Sequence, residues 1–191
     1  MDIDTRAFSI PVRRSVELRF IQSEEAGALY ALVDKNRAYL EKWLPWVPEQ
    51  KGQADSLENI RKRIERAQAG EMLDLGIYRD GELIGSIGFS RIVREHKKAS
   101  IGYWISEELQ GKGIMTDCVH ALVTYGFKEL HLHRIRIQCS VNNKKSAAIP
   151  ERLGFIFEGT AREDELQRQI DTLITKIFRI QKRARGNQRF R

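Results

Sequence analysis

A strand that runs through a glycine-bearing turn into an amphipathic helix constrains this chain more than any other stretch. Across residues 101–115, IGYWISEELQGKGIM, the apolar side chains of Ile101, Tyr103 and Ile105 alternate with the two-residue period of a strand. From Met115 onward, Cys118, Val119, Leu122, Val123 and Gly126 recur at helical spacing, which predicts a helix over 113–129. Gln110 to Ile114 then fall at a helix N-terminus, where unpaired backbone N–H groups and the positive end of the helix dipole face the same way. Gly111 and Gly113 let an anion come up to that backbone with no Cβ in its path. The layout suits a phosphate. A dinucleotide fingerprint would need a third glycine where Thr116 stands, and a nucleoside-triphosphate loop would need Ser or Thr after Gly-Lys, where Gly113 stands. Both are excluded.

Strands and helices alternate through the rest of the chain. Residues 16–21 read as a strand; Ser23 is placed to cap a first helix reaching about Asn36, with Leu29, Leu32 and Val33 facing inward. Residues 39–46 form a short apolar segment ended by Pro45 and Pro48, and 50–54 reads as a loop. Asp55 with Glu58 has capping-box spacing ahead of a helix whose stripe is Leu57, Ile60, Ile64 and Ala67 and which Gly70 ends. Strands over 73–78 and 82–92 are joined by Asp80-Gly81, a type I′ hairpin signal, and 98–105 continues the meander. The second half gives the 113–129 helix, a strand over 134–141, a helix over 145–152, and strands over 156–162 and 171–180. The expected fold class is therefore mixed α/β (α+β), with helices flanking a central sheet of about seven strands.

With 191 residues and 41% hydrophobic content, the chain can bury one core, so a single domain is expected over 1–180. Of the formal net charge of +7, six charges fall in 179–191, where Arg179, Lys182, Arg183, Arg185, Arg189 and Arg191 stand without an acid. The basic tail, 181–191, is open to two readings: a solvated end, or a segment that docks on an acidic protein or on RNA phosphates. No stacking motif of an RNA-recognition sheet accompanies it, so nucleic acid is expected as a partner only through that tail. No apolar run of about 18 residues is present, and the opening residues lack the apolar centre of a secretion signal. A cytoplasmic protein with no membrane partner is expected. Cys118 and Cys139 fall at inward positions, and neither they nor His96, His120, His131 and His133 have metal-ligand spacing.

A second segment sharpens the phosphate reading. The spacing of Gln110-Gly111-Lys112-Gly113 resembles the coenzyme A pyrophosphate loop of the GCN5-related N-acetyltransferases, with Glu108 where that pattern has its first Gln or Arg. About 30 residues later, Asn143, Ser146, Gly154 and Phe155 resemble the Asn-x-x-Ser and Gly-Phe block of the same superfamily. With Glu17-Leu18-Arg19 and Trp43-Leu44-Pro45-Trp46, the resemblance narrows to the ribosomal-protein serine/alanine N-acetyltransferase branch and covers roughly residues 12–180. It implies a sheet in which two parallel strands splay apart, leaving a wedge between 102–106 and 137–141 for the pantetheine arm of acetyl-coenzyme A.

The same resemblance implies the site. Coenzyme contacts fall on Trp104, Ile105 and Ser106, on Gln110, Gly111, Lys112, Gly113, Ile114 and Met115, and on Asn143 and Ser146. Backbone N–H groups around Trp104 and Ile105 would meet the thioester oxygen as it gains charge. Ser146 is the expected donor to the departing thiolate, or equally a helix-start residue. Asn143 either binds the pantetheine amides or caps a helix, a role Asn142 could also take. Glu165 is the candidate base for the incoming amine. An α-amine, with a pKa of roughly 8, demands less of that base than a lysine near 10.4. Trp43 and Trp46 would wall the acceptor site or fill the core. The expected acceptor is the N-terminal α-amine of a ribosomal protein or peptide. A small-molecule amine acetyltransferase and a non-catalytic ribosome- or RNA-binding module are the alternatives, and a homodimer is compatible with either enzyme reading.

Overall fold

The computed structural model describes residues 3–161 and 175–182. Glu165 and nearly all of the basic tail lie outside the described residues. Among the described residues eight strands form one sheet, where about seven were expected. In chain order the elements are β1 (Ser9–Arg13), β2 (Val16–Arg19), α1 (Ala26–Lys35), α2 (Arg37–Leu40), α3 (Gln53–Gln68), β3 (Leu73–Arg79), β4 (Glu82–Val93), β5 (Lys98–Ile105), α4 (Ile114–Lys128), β6 (Arg134–Ser140), α5 (Lys144–Arg152), β7 (Ile156–Ala161) and β8 (Thr175–Gln181). The unexpected strand is β1, an edge strand in which only Ile10 is buried and Pro11 interrupts the donor pattern, so its period-two signal is faint.

Strand order is β1-β2-β3-β4-β5-β6-β8-β7. Asp80 and Gly81 both take positive φ, 52° and 84°, and close β3 onto β4 as the hairpin signal predicts. Every neighbouring pair is antiparallel except β5 with β6, the pair that α4 connects. Two clusters of buried side chains cover the sheet. One joins Cys118, Val119 and Leu122 of α4 to Ile87, Phe89, Ile105 and Ile135. The other joins Leu29 and Val33 of α1 and Ile60 of α3 to Trp104. Trp104 and Ile105 are consecutive residues in different clusters, as the strand pleat requires.

Two helix starts differ from expectation. Ser23 opens a 3₁₀ turn, Ser23–Glu25, ahead of α1, and Glu25 reaches back to accept the Gln22 N–H at 2.8 Å. Asp55 is not an N-cap: α3 begins at Gln53, and the Asp55 carboxylate accepts the N–H groups of Lys51 and Gly52, both at 2.9 Å. An acid near a helix start can face forward as a cap or backward as the third helical residue, and spacing alone does not separate the two.

Candidate functional site

The parallel pair holds register for four residue pairs, from Lys98↔Arg134 to Ile101↔Ile137, and then stops. Beyond that point each strand stays with its outer neighbour: β5 remains paired to β4 through Gly85↔Ile105, and β6 remains paired to β8 through Ser140↔Thr175. The gap between residues 102–105 and 138–140 opens into a cleft of about 1080 Å³. That is large for a small-molecule pocket, whose usual span is roughly 300–1,000 Å³.

Hydrogen-bond alternation along β5 decides which backbone groups face the gap. Ser106 N–H donates to Ile84 O at 2.9 Å, on the β4 side. By alternation Trp104 N–H also faces β4, whereas Tyr103 and Ile105 direct theirs into the opening. The expected donor is thus Ile105 rather than Trp104, which contributes its buried ring and tilts against Trp46 at 6.3 Å between centroids.

At the mouth of the cleft lies the start of α4. Gly113 is its N-cap at φ 75°, Gly111 sits at φ 73°, and among the described residues no side chain caps the helix. A Cβ built at either glycine meets nothing within 4 Å. The requirement for glycine here is therefore conformational, a left-handed φ that costs other residues about 1–2 kcal/mol, and the space beside the backbone stays open. Gln110 is held on this rim by Lys145, whose Nζ donates to its Oε1 at 2.9 Å, and by a hydrogen bond with Tyr39. Burial pushes the Tyr39 phenol up from its ordinary pKa, and the Gln110 contact opposes that shift. Lys42, Lys144, Lys145 and Arg152 line the cleft; among its described residues Glu107 is the only carboxylate. The field at the mouth suits a polyanion.

Across the gap, α5 begins differently. Asn143 caps it: Oδ1 accepts the Ser146 N–H at 3.0 Å, and Asn142 plays no such part. The Ser146 side chain enters a two-hydroxyl arrangement with Tyr103, whose OH donates to Ser146 O at 3.0 Å and stands 3.2 Å from Ser146 Oγ. Burial holds the Tyr103 phenol well above its ordinary pKa, so it remains a neutral donor. Burial also pushes up the thiol of Cys139, which lines the same wall and touches the Ser146 hydroxyl.

Most of the residues marked by sequence converge here. Trp43, Trp104, Ile105, Gln110, Gly111, Gly113, Ile114, Met115, Asn143 and Ser146 all line the cleft. Ser106 is buried beneath it, its Oγ 3.4 Å from Asn36 Oδ1; Lys112 is exposed beside the loop, and Trp46 packs behind Trp104. Three contributors were not foreseen. Tyr103 looked like an ordinary strand aromatic. Asn36, buried at the end of α1, accepts the Glu107 N–H at 2.9 Å and so ties the phosphate turn to the first helices. Lys145 read as one of two adjacent lysines without direction. No local pattern signals these roles, since each depends on a partner distant in sequence.

An uncapped helix start with two left-handed glycines, set at the mouth of a splayed parallel pair, has the form of the coenzyme A site that the sequence resemblance implies. The family described as acetyltransferase (GNAT) domain matches residues 15–156. This chain belongs to that family and is an N-acetyltransferase that uses acetyl-coenzyme A. Its relatives include the putative ribosomal N-acetyltransferase YdaF of Bacillus subtilis, 37% identical over 158 residues, covering 82% of this chain and 86% of the relative. The ribosomal-protein-serine acetyltransferase of Escherichia coli is 33% identical over 157 residues, covering 82% and 88%. Among solved structures, a ribosomal L7/L12 alpha-N-protein acetyltransferase in complex with coenzyme A superposes with a TM-score of 0.87 at 30% identity, covering 91% of this chain and 98% of the other.

Proposed function

We propose that this enzyme acetylates the N-terminal α-amine of a ribosomal protein. The observation that carries the reading is the two-sided cleft. One side offers the α4 amides and a cationic rim, and the other is walled by Tyr39, Trp43, Leu44 and Trp104, which together can flank an extended peptide end. The names of the relatives point to the same acceptor class.

Acetyl-coenzyme A brings a thioester whose carbonyl is open to attack by an amine. Amides of residues 111–114 receive the diphosphate, with Lys145 and Arg152 adding positive field. Ile105 N–H faces the thioester oxygen and stabilises the negative charge it gains, a contribution worth on the order of 10²–10³ in rate where such donors have been removed. Ser146 Oγ donates to the departing sulfur. It can do so once Tyr103 OH donates to Ser146 Oγ instead of to the backbone carbonyl, which frees the serine proton to face the cleft. Tyr103 is thus a positioning residue. The proposed base is Glu165, on the resemblance alone. Attack requires the neutral amine, so the rate rises with pH through about 8 for an α-amine.

Purified enzyme offered peptides with N-terminal Ser or Ala, and spermidine and aminoglycosides in parallel, tests the acceptor by release of free coenzyme A thiol. Turnover of the peptides with little on the small amines is expected. Turnover confined to the small amines would overturn the ribosomal assignment and leave the acetyltransferase chemistry intact. Glu165→Gln should lower kcat and shift the pH profile upward; an unchanged profile would remove Glu165 as the base.

A further inference from the structure

Opposite the cleft, at the other end of the parallel strands, the fold gathers a second set of basic residues. Lys97 precedes β5, His133 precedes β6, and Lys182 follows β8, so three separate segments end at one pole of the sheet. Backbone hydrogen bonds fasten them together: His133 N–H donates to Lys97 O, and Lys182 N–H donates to His133 O at 3.2 Å. Lys98 lies opposite Arg134 in the register, and Lys182 Nζ reaches the Phe127 carbonyl at the end of α4, beside Lys128. Lys97, Lys98, His131, His133 and Lys182 are exposed. Among the described residues, Lys97, Lys98, Lys128 and Lys182 form no ion pair. Glu95 and Glu129 stand on the same turns as counter-charges, and Glu158, next to Phe157, pairs with Arg134 and Arg179. Lys97 and His131 hold left-handed φ of 46° and 51°, where glycine is the usual residue, so both tight turns carry basic side chains instead. The sequence continues past Lys182 with Arg183, Arg185, Arg189 and Arg191 and no acid.

An aromatic group lies near this pole. Phe157 on the edge strand β7 is 52% exposed and sits in register with Phe178, about 13 Å along the sheet from Lys182. Lysines without ion pairs on neighbouring strand ends, with an exposed aromatic face about 13 Å away, suit a flexible phosphodiester chain with stackable bases. Polyglutamate could meet the charge of these lysines, but it has no base to stack on Phe157.

We propose that the pole formed by Lys97, Lys98, His133 and Lys182, with Phe157, is a docking surface for single-stranded RNA. Lys98 stands about 23 Å along β5 from Ile105 and about 13 Å from Gly102, where the gap begins, so RNA held there leaves the acetyl-transfer end of the cleft open. The proposal does not rest on the acceptor assignment.

The test is fluorescence anisotropy of a labelled, unstructured 20-nucleotide RNA with the full chain across a salt series, with polyglutamate of matched charge as competitor. Micromolar binding that weakens steeply with salt is expected. The triple variant Lys97→Glu, Lys98→Glu, Lys182→Glu should bind at least tenfold more weakly and flatten the log–log salt slope by about 2. Phe157→Ser should weaken binding severalfold at an unchanged slope. Acetyl-coenzyme A affinity and turnover on the best amine should match the parent in both, which also reports that they fold; should the triple variant not fold, Lys98→Gln alone takes its place with a smaller loss. Absence of RNA binding by the parent, equal binding by the charge variants, or displacement by polyglutamate as effective as by RNA would each overturn the proposal.

Discussion

Two helices begin at the same cleft, and they begin in opposite ways. α5 starts at Asn143, whose own side chain takes an amide of the first turn, so that end of the helix is satisfied by its sequence. α4 starts at Gly113, in a left-handed conformation and with no side-chain cap. A side-chain cap contributes about 1 kcal/mol relative to alanine and a few tenths relative to glycine, and α4 forgoes it. The hydrophobic face through Cys118, Val119 and Leu122, all fully buried, holds α4 in place without a cap and leaves its amides free for a ligand. A capped start is satisfied from within; an uncapped start supported by core packing keeps its amides for a ligand. The contrast also separates Asn143 and Ser146 from the glycine turn: the Asn143 side chain is spent on the cap, and the Ser146 hydroxyl faces Tyr103.

The largest test of this contrast is to place a carboxylate at the open helix start. Gly113→Glu combines a left-handed φ penalty with charge repulsion at the diphosphate, and calorimetric titration should show coenzyme A affinity falling by on the order of 100-fold or more. Affinity equal to the parent would remove α4 from the binding site. Next come the two hydroxyls across the gap. Ser146→Ala should lower kcat by on the order of 10–100-fold with coenzyme A affinity little changed, and Tyr103→Phe by about tenfold. Because one residue acts through the other, the double variant should be no slower than Ser146→Ala alone; additive losses would show two independent roles. Leaving α5 uncapped should be smaller and of another kind: Asn143→Ala is expected to cost about 1 kcal/mol in denaturant unfolding, with Asn143→Ser restoring most of it. A loss of coenzyme A affinity far exceeding the stability loss would instead place Asn143 among the ligand contacts.

The smallest expected effect lies away from the cleft and depends on pH. Burial raises the Glu25 pKa, but hydrogen bonds from Arg19, the Gln22 N–H and Tyr78 more than reverse this, leaving it below the ordinary value of 4.5. A carboxylate lowered in the folded state adds stability that is present above its unfolded pKa and is lost as pH falls through the folded one. The parent should therefore lose stability relative to Glu25→Gln as pH drops below about 4.5, while the difference between them stays constant above pH 6. A difference that is flat down to pH 3 would show that the Arg19 contact does not bias folding.

Sequence legibility followed the range of the interactions. Strands β3 to β6 and helix α4 announced themselves through periodicity and the Asp80-Gly81 turn, because each is specified by its own residues. The glycine turn ahead of α4 was legible for the same reason, since two left-handed glycines before an apolar helix are a local pattern. β1 escaped because an edge strand with one buried side chain carries little alternation. Asp55 misled because its direction depends on where the preceding loop lies. Tyr103, Asn36 and Lys145 were invisible for a further reason: their partners are 43, 71 and 35 residues away.

By itself the chain determined which segments pleat, which coil, and where a helix would start bare, since those follow from side-chain period and from backbone angles only glycine adopts readily. Where the sheet opens was decided by tertiary structure. β5 and β6 part after Ile101 and Ile137 because each keeps its outer neighbour through a different run of residues, and that competition turns Ile105 N–H, Tyr103 and Ser146 toward one space.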